Sequence, residues 1–425
     1  MVLSTILFLL VSFIFWIATT LLSQFLVVFG ITLIWRAYKT VLVRKVGFLR
    51  RRNLKPVEAR QAVLITGASS GIGLAVAKHL YKVGYSIIAT YYDPKDPGMA
   101  ELRQLAQQKV DSPTGSKKLF LHQLDVTKDD QVRHLKEEVT KQLNEHKLVL
   151  YGLINNAGLG SLQQFAWLQR KNIANLINTN IYGALMMTRE FLPLLAKNKA
   201  DGDNGGARLL FLSSGLAFIP GATYATYGIT KSAHLYFSRC MNLELKERYG
   251  IQSVAVIPHN FIKNTNICSL NVQNNKSAWE ELDPLERSLY AQEYEQQLEL
   301  TRSLERATKE TIAKSSIQGE EQASKRRQAT GPVASEENLL LSACKSVVAL
   351  FKDIIQCLQG LNKFATFEES GALVCFEDAL RLRDPPEQIF AGDTTFQLTI
   401  GTLLLSLPQS CIGLLSSSVA PSLYK

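Results

Sequence analysis

The stretch AVLITGASSGIGLAVAKHL, from Ala62 to Leu80, decides the fold of this chain. Its first four residues are apolar and short enough for a buried strand, and from Ile72 onward apolar residues recur at helical spacing. Between the two lie Gly67, Gly71 and Gly73, which allow a tight turn and let backbone amides approach a pyrophosphate. Strand, glycine turn and helix in this order predict a dinucleotide-binding crossover, although a plain turn would also fit the glycines alone.

The composition suits a globular protein with a sizeable core. Hydrophobic residues make up 46% and charged residues 20% of the 425 residues. The cysteines form no C-x-x-C pair, which argues against a zinc site and against a fold built on disulfides. We therefore expect no bound metal and a reducing compartment. The six cysteines are Cys240, Cys268, Cys344, Cys357, Cys375 and Cys411.

The N-terminal residues 1–35 contain no charged side chain. A bilayer is crossed by about 20 apolar residues, so this stretch predicts a membrane anchor of one long or two short passes. The weakly polar residues 19–24 mark the place for a tight turn between two passes. A cleavable signal peptide is the weaker alternative because the charged n-region is missing, and a buried core helix seldom runs uncharged for so long.

A basic segment follows the predicted anchor. Residues 36–60 hold nine Lys or Arg and one Glu, which accounts for +8 of the net charge of +10. Such a cluster predicts positive-inside topology and contact with anionic membrane lipids. We expect the endoplasmic reticulum membrane with a cytosolic catalytic domain, or alternatively a mitochondrial membrane. Nucleic-acid binding is the rival interpretation of a basic patch, which we discount beside an anchor.

Further strands and helices alternate after the first crossover. This alternation predicts an α/β fold of the doubly wound Rossmann type, with a parallel sheet and helices on both faces. Two predicted helices cover residues 99–108 and 172–195, and residues 197–207 form a polar surface loop. The predicted strands after the first are residues 85–91, 119–124, 148–154, 208–212 and 251–257.

The end of the second predicted strand bears on cofactor choice. NAD-binding folds place an acid there for the ribose hydroxyls, whereas NADP binders place Arg or Lys nearby. Tyr91 and Tyr92 occupy this position, and Asp93 comes one or two residues late. Because neither these positions nor the glycine loop carry a cation, the sequence favours NAD(H) over NADP(H).

A pair of residues capable of acid–base chemistry opens a later helix. Tyr227 and Lys231 are four residues apart, which places both on one helical face. A free tyrosine has a pKa near 10, and a neighbouring ammonium brings that pKa toward the working range of a general base. Taken alone, such a pair is more often an exposed helix surface.

The chain resembles the short-chain dehydrogenase/reductase family. The resemblance is carried by T-G-x-x-x-G-x-G at residues 66–73, N-N-A-G at residues 155–158 and Y-x-x-x-K at residues 227–231. It covers residues 61–301 and resumes near Phe376. Within the family it is strongest to the branch that holds 3-hydroxybutyrate, type 2 17β-hydroxysteroid and microsomal retinol dehydrogenases. The branch features are YGITK at residues 227–231, Asn260–Ile262, Thr265, Trp279–Leu282, Tyr290 and Tyr294.

The resemblance implies four catalytic residues. Tyr227 gives or takes the hydroxyl proton, and Lys231 lowers the pKa of that tyrosine and holds the nicotinamide ribose. Ser214, thirteen residues before Tyr227, orients the substrate oxygen. Asn180, at the start of an N-x-x-G, positions Lys231 through water.

The resemblance also implies a cofactor site. Asp125 contacts the adenine, although a cap for a helix starting at Lys128 is its alternative role. His259 replaces a family glycine, and its side chain there crowds the pocket or requires other backbone angles; a substrate contact and a structural histidine are its other possible roles. The implied cofactor-binding residues are Thr66, Gly67, Ser69, Ser70, Gly71, Ile72, Gly73, Tyr91, Asp125, Val126, Asn155, Asn156, Ala157, Gly158, Tyr227, Lys231, Pro258 and Thr265.

The expected activity is hydride transfer between a nicotinamide cofactor and a secondary alcohol or ketone. A predicted membrane anchor favours a lipophilic substrate such as a steroid or retinoid. A phospholipid-associated small hydroxy-acid dehydrogenase and a catalytically idle nucleotide-binding membrane protein are the alternatives. Membrane lipids and a second copy of the chain, in a homodimer, are the other expected partners, and nucleic acid is not expected.

The remaining sequence divides into segments around the catalytic domain at residues 61–301. Residues 302–370 form an insertion, with predicted disorder over Lys314–Asn338 and a helix over Leu339–Leu361; an error in the gene model is the alternative. Residues 371–425 are expected to seal the substrate pocket or lie at the membrane surface, above all Leu398–Leu415. The acceptor Asn275-Lys276-Ser277 is expected to stay unglycosylated because a cytosolic domain does not meet the modifying enzymes.

Overall fold

The computed structural model describes residues 54–107, 117–200, 206–218, 221–258, 265, 267, 271–325, 372–382, 385 and 387–391. Apart from Leu54 and Lys55, these belong to one compact unit, Pro56–Lys425. The predicted anchor, the basic segment up to residue 53, His259, the predicted helix Leu339–Leu361 and the apolar Leu398–Leu415 lie outside the described residues. Within the described ranges, no helix is both long enough and apolar enough to cross a bilayer.

Seven parallel strands form a single sheet in the order β3-β2-β1-β4-β5-β6-β7. The chain runs from the centre to one edge and then from the centre to the other, which confirms the doubly wound parallel sheet. The direction changes between β1 and β4, and ligands of such sheets bind at the carboxyl ends beside that switch. The strands are β1 Gln61–Ile65, β2 Ser86–Tyr91, β3 Leu119–Gln123, β4 Val149–Asn155, β5 Arg208–Leu212, β6 Gln252–Pro258 and β7 Gln388–Ala391.

Helices cover both faces of the sheet. Because side chains alternate along a strand, Val63 and Ile65 pack into one apolar layer and Leu64 into the other. The helices are α1 Gly71–Val83, α2 Gly98–Gln107, α3 Asp129–Glu145, α4 Arg170–Ile177, α5 Gly183–Ala200, α6 Ala225–Tyr249, α7 Asn271–Glu280, α8 Pro284–Lys325 and α9 Ala372–Arg381.

The helix predicted over residues 172–195 is interrupted. A π-helical turn, Asn178–Tyr182, separates α4 from α5, and Asn180 lies in the middle of it. The wider turn inserts an extra residue and shifts the direction of the side chains, a feature that is common at functional sites. The predicted helix is therefore confirmed as helical over residues 172–195, while the π-turn at a candidate site residue was not predicted.

Helix α8 crosses the predicted end of the catalytic domain at residue 301 and continues to Lys325. Residues 314–325 are helical, so the predicted disorder of Lys314–Asn338 is wrong for that part. The rest of the predicted insertion, residues 326–370, lies outside the described residues.

The chain returns to the sheet after residue 371. Helix α9 inserts the buried Phe376 and Leu380 into the layer that holds β1, and β7 pairs with β6. The Tyr151 hydroxyl donates to the Leu380 carbonyl at 2.8 Å, and the buried Arg208 guanidinium donates to the Leu382 carbonyl at 2.7 Å. Helix α9 and strand β7 thus belong to the sheet domain, and the role predicted for residues 371–425 at a pocket or membrane stays a prediction.

The acceptor Asn275 is fully buried. Its side-chain amide donates to the Leu162 carbonyl at 3.1 Å, and its oxygen accepts from the Trp167 indole at 3.3 Å. A glycan on this side chain would displace both contacts, so the fold described here is incompatible with glycosylation at Asn275.

Candidate functional site

The glycine loop between β1 and α1 is shaped by backbone geometry that side chains do not tolerate. Gly67 and Gly71 have φ values of +65° and +53°, in the left-handed region that favours glycine. A Cβ at Gly73 would lie 2.2 Å from the Gly67 carbonyl oxygen and 2.5 Å from the Asn156 amide nitrogen. The loop is therefore tight and leaves its backbone open to a ligand.

Thr66 and Asn156 join this loop to the end of β4. The Thr66 hydroxyl accepts from the backbone amides of Asn156 at 3.0 Å and Ala157 at 2.9 Å. In return, the Asn156 side chain donates to the carbonyls of Thr66 at 2.8 Å and Gly67 at 2.9 Å. The two predicted motifs, at residues 66–73 and 155–158, are thus one cross-linked unit.

The start of α1 presents backbone amides. Ser70 is the N-cap residue and is extended, and its side chain makes no capping hydrogen bond. Ile72 lies in the first turn of α1, while the Ser69 hydroxyl donates to Asp96 at 2.6 Å. Thr265 lies against the loop, since a Cβ on Gly71 would come within 3.1 Å of its methyl carbon. A helix N-terminus of this kind suits phosphate oxygens, so the residues present fit a dinucleotide.

Asp125 and Val126 follow β3, next to the end of β2. The Asp125 carboxylate accepts from the Thr127 amide at 2.9 Å and the Thr127 hydroxyl at 2.7 Å. Helix α3 begins at Asp129 with Lys128 as N-cap, so Asp125 closes a turn and does not cap the helix. The adjoining cleft has a volume of about 860 Å³ and is lined in part by Tyr92, Asp93, Gln123, Asp125 and Gln131.

Asn180 in the π-turn is completely buried, and both ends of its side chain are bonded. Its amide nitrogen donates to the Leu159 carbonyl at 2.9 Å and to the Thr230 hydroxyl at 3.0 Å. Its oxygen accepts from the Leu159 amide at 2.7 Å. The side chain therefore ties the segment after β4 to α6.

Lys231 is the central charge of the site. Its ammonium donates to the Leu212 carbonyl at 2.8 Å and lies 5.7 Å from the centre of the Tyr227 ring. A Cβ on Gly158 would lie 3.5 Å from this ammonium and 3.3 Å from the Asn180 side-chain oxygen. Burial lowers the pKa of Lys231 to about 8. The fold thus brings together four segments that lie far apart in the sequence.

Ser214 lies where β5 leads into the start of α6. It caps the 3₁₀ turn Gly215–Ala217, and its hydroxyl accepts from the Leu216 amide at 3.2 Å. That turn is held on α6, because the Ser232 hydroxyl donates to the Ala217 carbonyl at 3.0 Å. Tyr227 lies in the first turn of α6, which places the serine and the tyrosine on adjoining elements.

Three predicted cofactor residues lie at the ends of strands. Tyr91 ends β2 and is partly buried, and Pro258 ends β6. Asn155 ends β4, but its amide donates to the Thr188 hydroxyl at 3.2 Å within the core. Asn155 therefore supports the sheet beneath the site, unlike Asn156, which contacts the glycine loop.

Residues after α6 brace the segment that follows β4. The Leu162 amide donates to Asn271 at 3.2 Å, and the Leu162 carbonyl accepts from Gln297 at 3.1 Å. Beside them, the Trp279 and Tyr294 rings stack with centres 4.0 Å apart. Both aromatic residues were predicted only as features of the resemblance. The contacts of Asn271 and Gln297 were not predicted, because they have no spacing pattern in the sequence.

His234 is a site residue that the sequence analysis missed. It lies three residues after Lys231 on α6 and is almost fully buried. Its Nδ1 is 3.0 Å from the Leu212 carbonyl, and its Nε2 is hydrogen bonded to the Asn180 carbonyl. The only signal in the sequence was its place one helical turn beyond the lysine.

Several known proteins are similar to this chain in sequence. The estradiol 17-beta-dehydrogenase 2 of Rattus norvegicus is 35% identical over 252 residues, which are 57% of this chain and 59% of that protein. The mitochondrial D-beta-hydroxybutyrate dehydrogenase of the same species is 31% identical over 55% of this chain and 64% of that protein. The 11-beta-hydroxysteroid dehydrogenase type 2 of Ovis aries is 33% identical over 49% and 45%.

The chain thus spans less than two thirds of the length of these three relatives. Over residues 61–273, half of its length, it matches the family described as short chain dehydrogenase. These residues hold the glycine loop, the π-turn and the start of α6. The chain belongs to the short-chain dehydrogenase family.

Proposed function

We propose that the protein is an NAD(P)-dependent oxidoreductase that acts on a secondary alcohol or ketone. The observation that carries the proposal is the buried Lys231, held between Gly158, Asn180 and the Tyr227 ring beside the glycine loop. A nicotinamide cofactor, when bound, supplies or accepts the hydride. The family relationship supports this activity.

The chain's own residues bind, orient and move a proton. Lys231, with its ammonium fixed on the Leu212 carbonyl, favours the phenolate of Tyr227, which then exchanges a proton with the substrate hydroxyl. Ser214 orients the substrate oxygen from the turn packed on α6. The amides at the start of α1 hold the pyrophosphate. Asn180 acts through the fold, by joining Leu159 to Thr230.

We propose a lipophilic substrate such as a steroid or retinoid. Two of the relatives named above are hydroxysteroid or estradiol dehydrogenases, which supports this class. The D-beta-hydroxybutyrate dehydrogenase supports a small hydroxy acid as the second candidate. Purified full-length protein should be tested with steroids, retinols and short hydroxy acids while NADH and NADPH absorbance is followed. Turnover of short hydroxy acids alone would reject the lipophilic class, and binding of NADH without any turnover would favour an idle protein.

A membrane location is the proposal for the N-terminal part of the chain. The uncharged residues 1–35 and the basic residues 36–60 support an anchor with the catalytic domain in the cytosol, in the endoplasmic reticulum or alternatively in mitochondria. The test is alkaline carbonate extraction, with and without residues 1–35, followed by protease treatment of sealed microsomes. Release by carbonate, or protection of the catalytic domain, would reject the proposal.

A homodimer is supported by an exposed apolar stripe on α6. Ile229, Tyr236 and Leu243 are spaced by seven residues and are 62%, 71% and 80% exposed. This spacing places all three on one side of the helix, where a second copy can pack. Tyr236→Glu is expected to convert the dimer into a monomer in analytical ultracentrifugation. The exposed Tyr92→Glu is the control, and a monomeric wild type at micromolar concentration would contradict the dimer.

We predict that NADH binds more tightly than NADPH. Asp96 is bonded to Ser69 of the glycine loop, so its carboxylate adds negative charge where a 2′-phosphate would need a cation. Asp96→Asn is expected to tighten NADPH binding about fivefold, the size expected for one exposed charge interaction, with little change for NADH. Fluorescence titration measures both. Glu101→Gln is the control, because this exposed acid on α2 pairs with Lys78, and a wild type that prefers NADPH would overturn the prediction.

A further inference from the structure

His234 occupies the space behind the catalytic pair and is used by no step described above. It is 1% exposed and lies on the face of α6 that packs against β5 and the π-turn. Its ring centre is 5.9 Å from that of Phe211 in β5. The groups that face it are therefore a phenyl ring, two backbone carbonyls and the Lys231 ammonium, which is the ionisable group among the described neighbours.

The two carbonyls are those that fix the site. The Leu212 carbonyl accepts from the Lys231 ammonium at 2.8 Å and lies 3.0 Å from His234 Nδ1. The Asn180 carbonyl, in the π-turn, is bonded to His234 Nε2. A single ring thus lies between the carbonyl that holds Lys231 and the turn that carries Asn180, and it contacts both.

We propose that His234 is a positioning residue for Lys231, which acts as a bridge by packing between the Leu212 and Asn180 carbonyls and donating its one N–H to one of them. The proposal rests on the proposed oxidoreductase function. The expected route from Asn180 to Lys231 was water held in the site, whereas here the Asn180 carbonyl is bonded to a side chain of α6. Loss of the bridge lets the ammonium move away from the Tyr227 ring, so a larger share of the tyrosine stays protonated.

The charge of the ring follows from its surroundings. Burial, with the Lys231 ammonium as the second cause, lowers the pKa of His234 to about 4. The ring is therefore neutral at pH 7 and has one N–H for two carbonyl acceptors. The Lys231 charge opposes protonation of the ring, so removing that charge is expected to raise the pKa of His234.

Three substitutions separate the two contacts. His234→Leu removes both, His234→Asn keeps a donor near Nδ1, and His234→Gln keeps a donor near Nε2. We expect His234→Leu to lower kcat about tenfold, the size expected for one lost hydrogen bond, and to move the pH–rate profile of alcohol oxidation to higher pH. His234→Asn or His234→Gln is expected to recover part of both effects.

The control is Ser238→Ala, one turn further along the same face of α6. Ser238 is also buried and loses a bond to Ser253, yet neither residue touches the site. The kcat of Ser238→Ala is expected to lie within about twofold of the wild-type value, with an unchanged pH–rate profile. An unchanged kcat and profile in His234→Leu would overturn the proposal. Equal losses in all three His234 variants with an unmoved profile would also overturn it.

A second measurement does not depend on turnover. The chain has six histidines. In protein labelled with ¹⁵N-histidine, the signals that are absent from the spectrum of His234→Gln are assigned to His234. We expect a neutral ring at pH 7 and, in Lys231→Met, a titration midpoint at clearly higher pH. A midpoint that Lys231→Met leaves in place would overturn the proposal. If the wild type turned over no substrate, the oxidoreductase proposal would fail, and this titration would still decide the role of His234.

Discussion

Replacing Tyr227 by Phe is expected to lower turnover about 10²- to 10⁴-fold, because only the proton-transferring hydroxyl is removed. The ring remains in the first turn of α6, so its packing near Lys231 is retained. NADH affinity should stay close to that of the wild type, since the glycine loop and the lysine are untouched. Turnover on the best substrate and NADH fluorescence measure the two effects.

Tyr236→Phe is the matched control for this substitution. Tyr236 lies on the same helix but is 71% exposed, and loss of its hydroxyl should leave turnover unchanged. If Tyr227→Phe kept more than about a tenth of the wild-type turnover, it would fall short of the loss expected for general acid–base catalysis. Tyr227 would then not be the acid–base residue.

Lys231→Met is expected to stabilise the cofactor-free protein while damaging both turnover and NADH binding. The pKa of Lys231 falls from 10.5 to about 8 on burial, so its charge costs about 3 kcal/mol at pH 7. The variant also loses the hydrogen bond to the Leu212 carbonyl, which lowers its stability by about 1 kcal/mol. A net gain of about 2 kcal/mol in the free energy of unfolding remains.

The pH dependence gives this prediction its sign. The unfolded chain binds the Lys231 proton more tightly than the folded protein, so wild-type stability rises between pH 8 and 10.5. The advantage of Lys231→Met should be full below pH 8 and disappear toward pH 10.5. Urea unfolding at pH 7 and pH 10 measures it, with the exposed Lys82→Met as control. If the variant were less stable than the wild type at pH 7, the buried ammonium would not lower the free energy of unfolding, and the prediction would be wrong.

Much of the fold followed from local patterns. Strands β1 to β6 fall within one or two residues of their predicted ranges, because each is a short apolar run next to a turn or a helix. The Y-x-x-x-K pair is on one face of α6 as predicted, since i and i+4 spacing is a property of the helix itself. The roles of Ser214 and Asn180 stay predictions that mutagenesis must test.

Other parts could not follow from the sequence because their causes are not local. Strand β7 has only four residues and gains its identity from β6, which lies far back in the chain. The π-turn depends on contacts of Asn180 with Leu159 and Thr230 and has no spacing signature. A single histidine such as His234 has no pattern of its own, and its importance appears only when β5 and the π-turn meet around it.

The late position of β7 determines when the protein can complete its fold during synthesis. About 130 residues leave the ribosome between Pro258, where β6 ends, and Gln388, where β7 begins. Until then, β6 is an edge strand whose free N–H and C=O groups can pair with another nascent chain. A polypeptide released early therefore keeps the unpaired edge of β6, which can aggregate and is bound by chaperones. A premature stop codon before Gln388 would therefore remove β7 and yield an aggregating product and not merely a shorter enzyme.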